Sequence, residues 1–158
     1  MGITLSEADF RPIAGYEFQH WGERSAQPPY AAIRPLTPVA AERVWRRAAQ
    51  LGTTPWADVT AGAGDAAPGA GRLDLQRPDA DWDERTVRRW LLDRVPDRDL
   101  QVIVCYQPTV AIAVPWGLLC DHWLVLLWTG GCVWPPSEAW VLVHDGDQFA
   151  FASRRNET

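Results

Sequence analysis

Three groups of residues in this sequence have the types and spacing that chemistry could use: a Cys-Asp-His triplet, a glutamate between tryptophans, and two aspartates around a glycine. Cys120-Asp121-His122 comes first. A thiol beside an imidazole can ionise to a thiolate, and on a strand residues two apart point to the same side. Strand geometry also holds such neighbours parallel rather than facing, and no glycine-rich oxyanion loop accompanies them. The sequence therefore predicts a core cysteine beside a hydrogen-bonded histidine, and no catalytic residue. Glu138 lies close to Trp140 in an apolar context. A carboxylate there would have a raised pKa suited to acid–base work, or would simply begin a strand at the surface. A small enzyme working through Cys120 or Glu138 is thus the alternative that the residues leave open.

Asp145-Gly146-Asp147 lacks the remainder of a calcium loop and reads as a hairpin turn between apolar runs. Cys105, Cys120, Cys132, His122 and His144 show none of the paired spacings of metal sites, so neither metal nor cofactor is expected. Gly130-Gly131 stands alone and reads as a turn, not a phosphate loop. Three cysteines without a C-x-x-C pair fit reduced, buried thiols in a cytoplasmic protein.

The elements that position these residues follow from hydrophobic period and capping. Gly15 to Trp21 alternates with a period of two, as a half-buried strand does. Thr37-Pro38 pairs a hydroxyl N-cap with proline in the first turn, and Ala41, Val44, Trp45, Ala48 and Leu51 then form one apolar face, with Gly52 as the cap beyond. Glu42 and Arg46 sit at i, i+4. Residues 60–71 (TAGAGDAAPGAG) bury too little to offset ordering entropy and predict a flexible loop. Asp81 and Glu84 have capping-box spacing ahead of a second helix through Val87, Trp90, Leu91 and Val95, stopped by Pro96.

Beyond Leu100 the chain turns apolar. Strands are predicted at Val102–Tyr106, Val110–Pro115, His122–Trp128, Ala139–His144 and Gln148–Ser153, with turns at 107–109 and 145–147. The uncharged run Leu100 to Cys120 is as long as a membrane span, but Gln101, Gln107, Pro108 and Pro115 interrupt it and favour a buried hairpin. The architecture expected is α+β: an antiparallel sheet of about five to six strands, mostly C-terminal, with two amphipathic helices packed on one face of a single domain over 1–158.

Composition narrows the partners. The 158 residues carry a net charge of −5, and all 15 basic residues are arginine. The acidic balance argues against nucleic acid and suits a basic protein partner. Arginine without lysine, together with abundant Ala, Gly and Pro, fits a high-GC bacterial genome. No secretory signal opens the sequence, so a cytoplasmic location with no membrane attachment is expected. Ten tryptophans are an excess whose bulk belongs mostly in the core, with some at a contact surface or, alternatively, in a self-associating structural or regulatory module.

Trp116-Gly117, His122-Trp123, the run Val133-Trp134-Pro135-Pro136-Ser137-Glu138-Ala139-Trp140-Val141-Leu142, then His144 and Phe149-Ala150-Phe151 form a cadence. Upstream, Ile33-Arg34-Pro35-Leu36 and Val104-Cys105-Tyr106 fit the same pattern. It resembles a group of small, uncharacterised bacterial cytoplasmic proteins similar to the immunity proteins of polymorphic toxin systems. Where that pattern often has Ser-Asp-Asp, this chain has Thr129-Gly130-Gly131-Cys132. The resemblance implies a non-catalytic immunity protein that binds and neutralises a cognate bacterial toxin, with Trp134, Glu138, Asp145 and Asp147 as partner-binding residues.

Overall fold

In the computed structural model, which describes residues 2–13, 29–51, 71–75, 83–127 and 130–153, both amphipathic segments are helical. Helix α1 (Pro38–Gln50) starts at Thr37, whose extended backbone lets its hydroxyl accept the Ala40 N–H at 3.3 Å. Arg46 reaches back to Glu42 at 2.7 Å. Leu51 closes the helix; Gly52, the expected cap, lies outside the described residues. Helix α2 (Glu84–Arg94) is capped by Asp83, whose carboxylate accepts the Thr86 N–H at 2.7 Å. The cap expected at Asp81 falls two residues earlier, outside the described residues, as does the strand expected at 15–21. The helix stops at Val95, whose extended backbone is what a following proline imposes.

Seven strands form one sheet: β1 (Arg34–Pro35), β2 (Gly71–Asp74), β3 (Gln101–Gln107), β4 (Val110–Pro115), β5 (Gly131–Trp134), β6 (Trp140–His144) and β7 (Gln148–Ser153). Their order is β1-β4-β3-β5-β6-β7-β2, and every neighbouring pair is antiparallel. The fold is α+β, as expected, with more strands than the sequence suggested. β1 and β2 come from the N-terminal half; Gly71, the last residue of the loop expected at 60–71, begins β2, and residues 60–70 lie outside the described residues. The run Leu100 to Cys120 is the β3–β4 hairpin followed by a helical turn. No described helix is long and apolar enough to cross a membrane.

The two amphipathic helices lie on opposite faces of the sheet, not on one. On one face Val102, Val104, Val114, Val133 and Leu142 pack with Val87 and Leu91 of α2. On the other, Ile103, Cys105, Ala113, Trp134, Val141 and Val143 pack with Ala41, Val44 and Ala48 of α1. The alternation explains this: successive side chains leave a strand on opposite sides, and β3–β6 are apolar at both. Each face therefore needs its own cover. The small Ala40, Ala41 and Ala48 of α1 bring that helix close to Ala111 and Ala113 of β4.

The strand expected at His122–Trp128 is not formed over its described part: Trp123–Leu126 is helical instead, and Trp128 lies outside the described residues. Helices α3 (Trp116–Asp121) and α4 (Trp123–Leu126) occupy that region, joined at His122. Solvent reaches this run at Leu118, at Asp121–His122 and at Leu124, a spacing of three to four residues that belongs to a helix. Two anchors fix it. The Trp116 indole N–H donates to the Val95 carbonyl at 2.8 Å, and Asp121 pairs with Arg98 at 2.6 Å and with Arg88 at 3.6 Å. A side chain at position 117 would strike Arg98, so Gly117 allows that close approach.

Candidate functional site

The four residues singled out from the sequence fall into two pairs at opposite ends of β6. Trp134 ends β5 and Glu138 lies in the β5–β6 connection, whereas Asp145 and Asp147 form the β6–β7 turn.

At the first end, Trp134 has no exposed surface and packs in the α1-side core, directly across the ladder from Ile103. Its indole N–H finds no acceptor among the described residues. In this conformation it offers a partner no contact area. Glu138 is also buried. Its backbone is left-handed (φ 59°), and its N–H donates to the Pro135 carbonyl at 2.8 Å, closing the turn that Pro135-Pro136 begins. Its carboxylate receives both arms of the Arg47 guanidinium from α1: Nε to Oε1 at 2.6 Å and Nη2 to Oε2 at 2.5 Å. The Glu138 side chain is 9% exposed and that of Arg47 33%. The Glu138 hydrogen bonds outweigh partial desolvation and raise the Arg47 pKa above its ordinary value. This fork-to-fork pair ties α1 to the β5–β6 turn and leaves no carboxylate oxygen without a partner for proton transfer. Arg47 had no sequence signal beyond its place outside the apolar face of α1, because its partner is 91 residues away.

At the other end, Asp145-Gly146-Asp147 makes the expected turn. Gly146 takes φ 97°, where a side chain would be strained, and the Asp145 carboxylate accepts the N–H groups of Asp147 and Gln148, each at 2.9 Å. Partial burial pushes the Asp145 carboxyl up, but these backbone donors outweigh it and hold the group below the usual carboxylate range. Asp145 and Asp147 are exposed. Asp74 of β2 stands opposite Gln148 and is also exposed, and the Leu75 N–H donates to the Asp147 carbonyl at 2.8 Å. Three carboxylates thus share one end of the sheet. Asp74 could not be found from the sequence, because its four-residue strand carries no signal of its own.

His144 supports this turn from beneath. It is 3% exposed, stacks on Phe149 at 4.3 Å and meets Trp123 edge-on. Nδ1 lies 2.8 Å from the Leu127 carbonyl, which can only accept, so Nδ1 carries the proton; Nε2 has no partner among the described residues. Burial pulls the imidazole below its ordinary pKa, against the opposing effects of the Leu127 bond and of Asp145 and Asp147.

The possible nucleophile is placed out of reach. Cys120 is fully buried, and burial, with Asp121 adding to it, pushes its thiol well above the ordinary range. It lies on helix α3, whereas His122 is the half-buried, non-helical residue that joins α3 to α4, so the strand that would have put the two on one side is absent. Cys105 and Cys132 stand opposite each other on β3 and β5, both buried and reduced. Among the described residues, no three His, Cys, Asp or Glu side chains converge where they could hold a metal ion. No family model, no curated protein and no solved structure matches the chain.

Proposed function

We propose that this chain is a non-catalytic, immunity-type protein that binds and neutralises a cognate bacterial toxin in the cytoplasm. The observation that carries this reading is where the reactive groups lie: Cys120 is sealed in the core and Glu138 is locked to Arg47, while Asp145 and Asp147 stand exposed in the β6–β7 turn, with Asp74 of β2 beside them. A turn whose carboxylate is already oriented by backbone N–H groups loses little freedom on binding, and clustered negative charge steers and orients a basic partner. The resemblance of the C-terminal third to immunity-protein sequences supports the same reading. In it, Asp145 and Asp147 touch the toxin, whereas Trp134 and Glu138 hold the frame that presents the sheet end. The net charge of −5 favours a basic protein over nucleic acid. The six described tryptophans are buried or half-buried, so none of them presents a fully exposed aromatic contact.

The test is co-expression with the C-terminal domain of the protein encoded immediately upstream, scored by survival of the host and by co-purification. Rescue with a stable complex, weakened by D145N/D147N but not by C120A, is the expected result. Rescue without a complex, or a complex indifferent to both aspartates, sinks the proposed interface, and failure to rescue sinks the function.

A further inference from the structure

We propose that the cleft between the N-terminal segment and the β1–β4–β3 edge binds a small monocarboxylate carrying one apolar group. This site is separate from the acidic turn and does not depend on the toxin-binding reading. The chain builds the cleft by laying residues 2–10 across the α1 side of the sheet. Ile3 donates its N–H to Pro136 O at 3.1 Å, Phe10 bridges to Leu36, and the Asp9 carbonyl accepts the Thr37 N–H at 2.8 Å. Gly2 packs so closely on the Pro136 carbonyl that any side chain there would collide. What remains under this segment is a cavity of about 330 Å³ with Ile3, Leu5, Phe10, Ile103, Ala113 and Pro136 as apolar walls. That volume is at the lower end for small-molecule sites, roughly 300–1,000 Å³, and suits one phenyl- or leucyl-sized group.

The sign of the charge follows from the rim. Arg34 and Glu7 are the two ionisable residues lining the cleft, with Thr4 and Gln101 beside them. The Arg34 guanidinium lies over the Phe10 ring at 3.7 Å, which fixes its plane. Its one side-chain hydrogen bond among the described residues runs from Nη2 to Glu7 Oε2 at 2.6 Å. A guanidinium has five N–H donors, so most of the fork remains for a second carboxylate. The Glu7 side chain is 87% exposed against 42% for Arg34. The more sheltered of the two charges is therefore positive, and the carboxylate now paired with it is held only by a solvent-screened contact that can swing outward. An incoming carboxylate whose apolar group fills the cavity takes the place of Glu7.

The experiment is a two-dimensional amide NMR titration of the full chain with 3-phenylpropionate and, separately, with 3-phenylpropionamide. The acid should shift resonances of residues 3–10, Arg34, Gln101–Ile103 and Ala113, and should bind at least about tenfold tighter than the amide, as loss of a charge-assisted hydrogen bond implies. R34Q should remove that difference, E7Q should tighten acid binding several-fold by removing the competitor, and T4W, at an exposed rim position, should block it. Each variant's amide spectrum reports whether the fold is intact. Equal binding of acid and amide, shifts outside the cleft, or no shift at millimolar acid would overturn the proposal. So would a capped dipeptide ending in a free Phe carboxylate that binds more than about tenfold tighter than the acid, because the site would then be built for a protein C-terminus.

Discussion

Replacing Glu138 separates two effects that act in opposite directions at one residue. Its left-handed backbone costs a residue with a side chain about 1 kcal/mol relative to glycine, even after glycine's greater freedom in the unfolded chain is counted. Its carboxylate, 9% exposed, accepts two charge-assisted bonds from Arg47, itself 33% exposed. E138A loses the pair and keeps the strain, at a cost of about 2–3 kcal/mol. E138G loses the pair but relieves the strain, and should retain about 1 kcal/mol more stability than E138A. R47M strands a buried carboxylate and should cost about 3 kcal/mol, the lower end of the range because solvent reaches this site. The double variant R47M/E138G removes both the unpaired charge and the strain, so it should be more stable than R47M alone. Urea unfolding of the four variants measures this, and for a chain of this size each kcal/mol moves Tm by about 2–4 °C. An E138A variant as stable as E138G would refute the strain argument. A double variant weaker than R47M would refute the claim that Glu138 is buried on an arginine.

His144 should make stability depend on pH. Its folded pKa lies below 6.5 while the unfolded chain recovers the ordinary value, so unfolding takes up a proton; the contribution is intact above pH 6.5 and lost as pH falls through and below it. H144F should flatten that slope in urea titrations between about pH 5 and 7, and an unchanged slope would refute the assignment. Cys105, Cys120 and Cys132 are all buried, so a thiol-reactive dye should label the native protein only at the rate of opening and label all three at once in denaturant. Rapid native labelling would show that this core is open. W116F should cost about 1–3 kcal/mol, because it leaves the Val95 carbonyl unpaired within the core; calorimetry gives the value, and a neutral result would rule out that bond.

The sequence revealed elements where a local signal was also a sufficient one. Thr37-Pro38 and the face of α1, Val110–Pro115 and Gln148–Ser153 as strands, and the Asp-Gly-Asp turn all depend on neighbours within a few residues. His122–Trp128 was misread because a short apolar run buried on most sides has no period to distinguish helix from strand; the leucines and the few polar positions then decide it. β1, with two residues, and β2, which follows a glycine-rich stretch, carry almost no signal of their own and are strands because β4 and β7 pair with them. The placement of the helices on both faces was implicit in strands apolar at successive positions, a pattern that asks for two covers. At the candidate sites, the acidic turn was legible and its third carboxylate was not. The Arg47–Glu138 pair and the Arg34 cleft join residues tens of positions apart, and such contacts leave no trace in spacing.

The strand order has a consequence for how the chain is made. Among the described residues β2 pairs only with β7, the last strand in sequence, and the apolar side of α2 includes a contact as late as Phe149, near Trp90. As synthesis proceeds, β2 therefore emerges with its pairing edge unmatched until β7 has been added, whereas α2 meets part of its cover, Val102, Val104 and Val114, earlier than Phe149. Long-range closures of this kind are slow and leave apolar surface open meanwhile. The β3–β4 hairpin has sequence-local partners and is the natural place for order to begin. A ribosome stalled before Gln148 should carry a chain held by chaperones, whereas the same sequence stalled with an added linker that carries Gln148–Ser153 clear of the ribosome should resist protease.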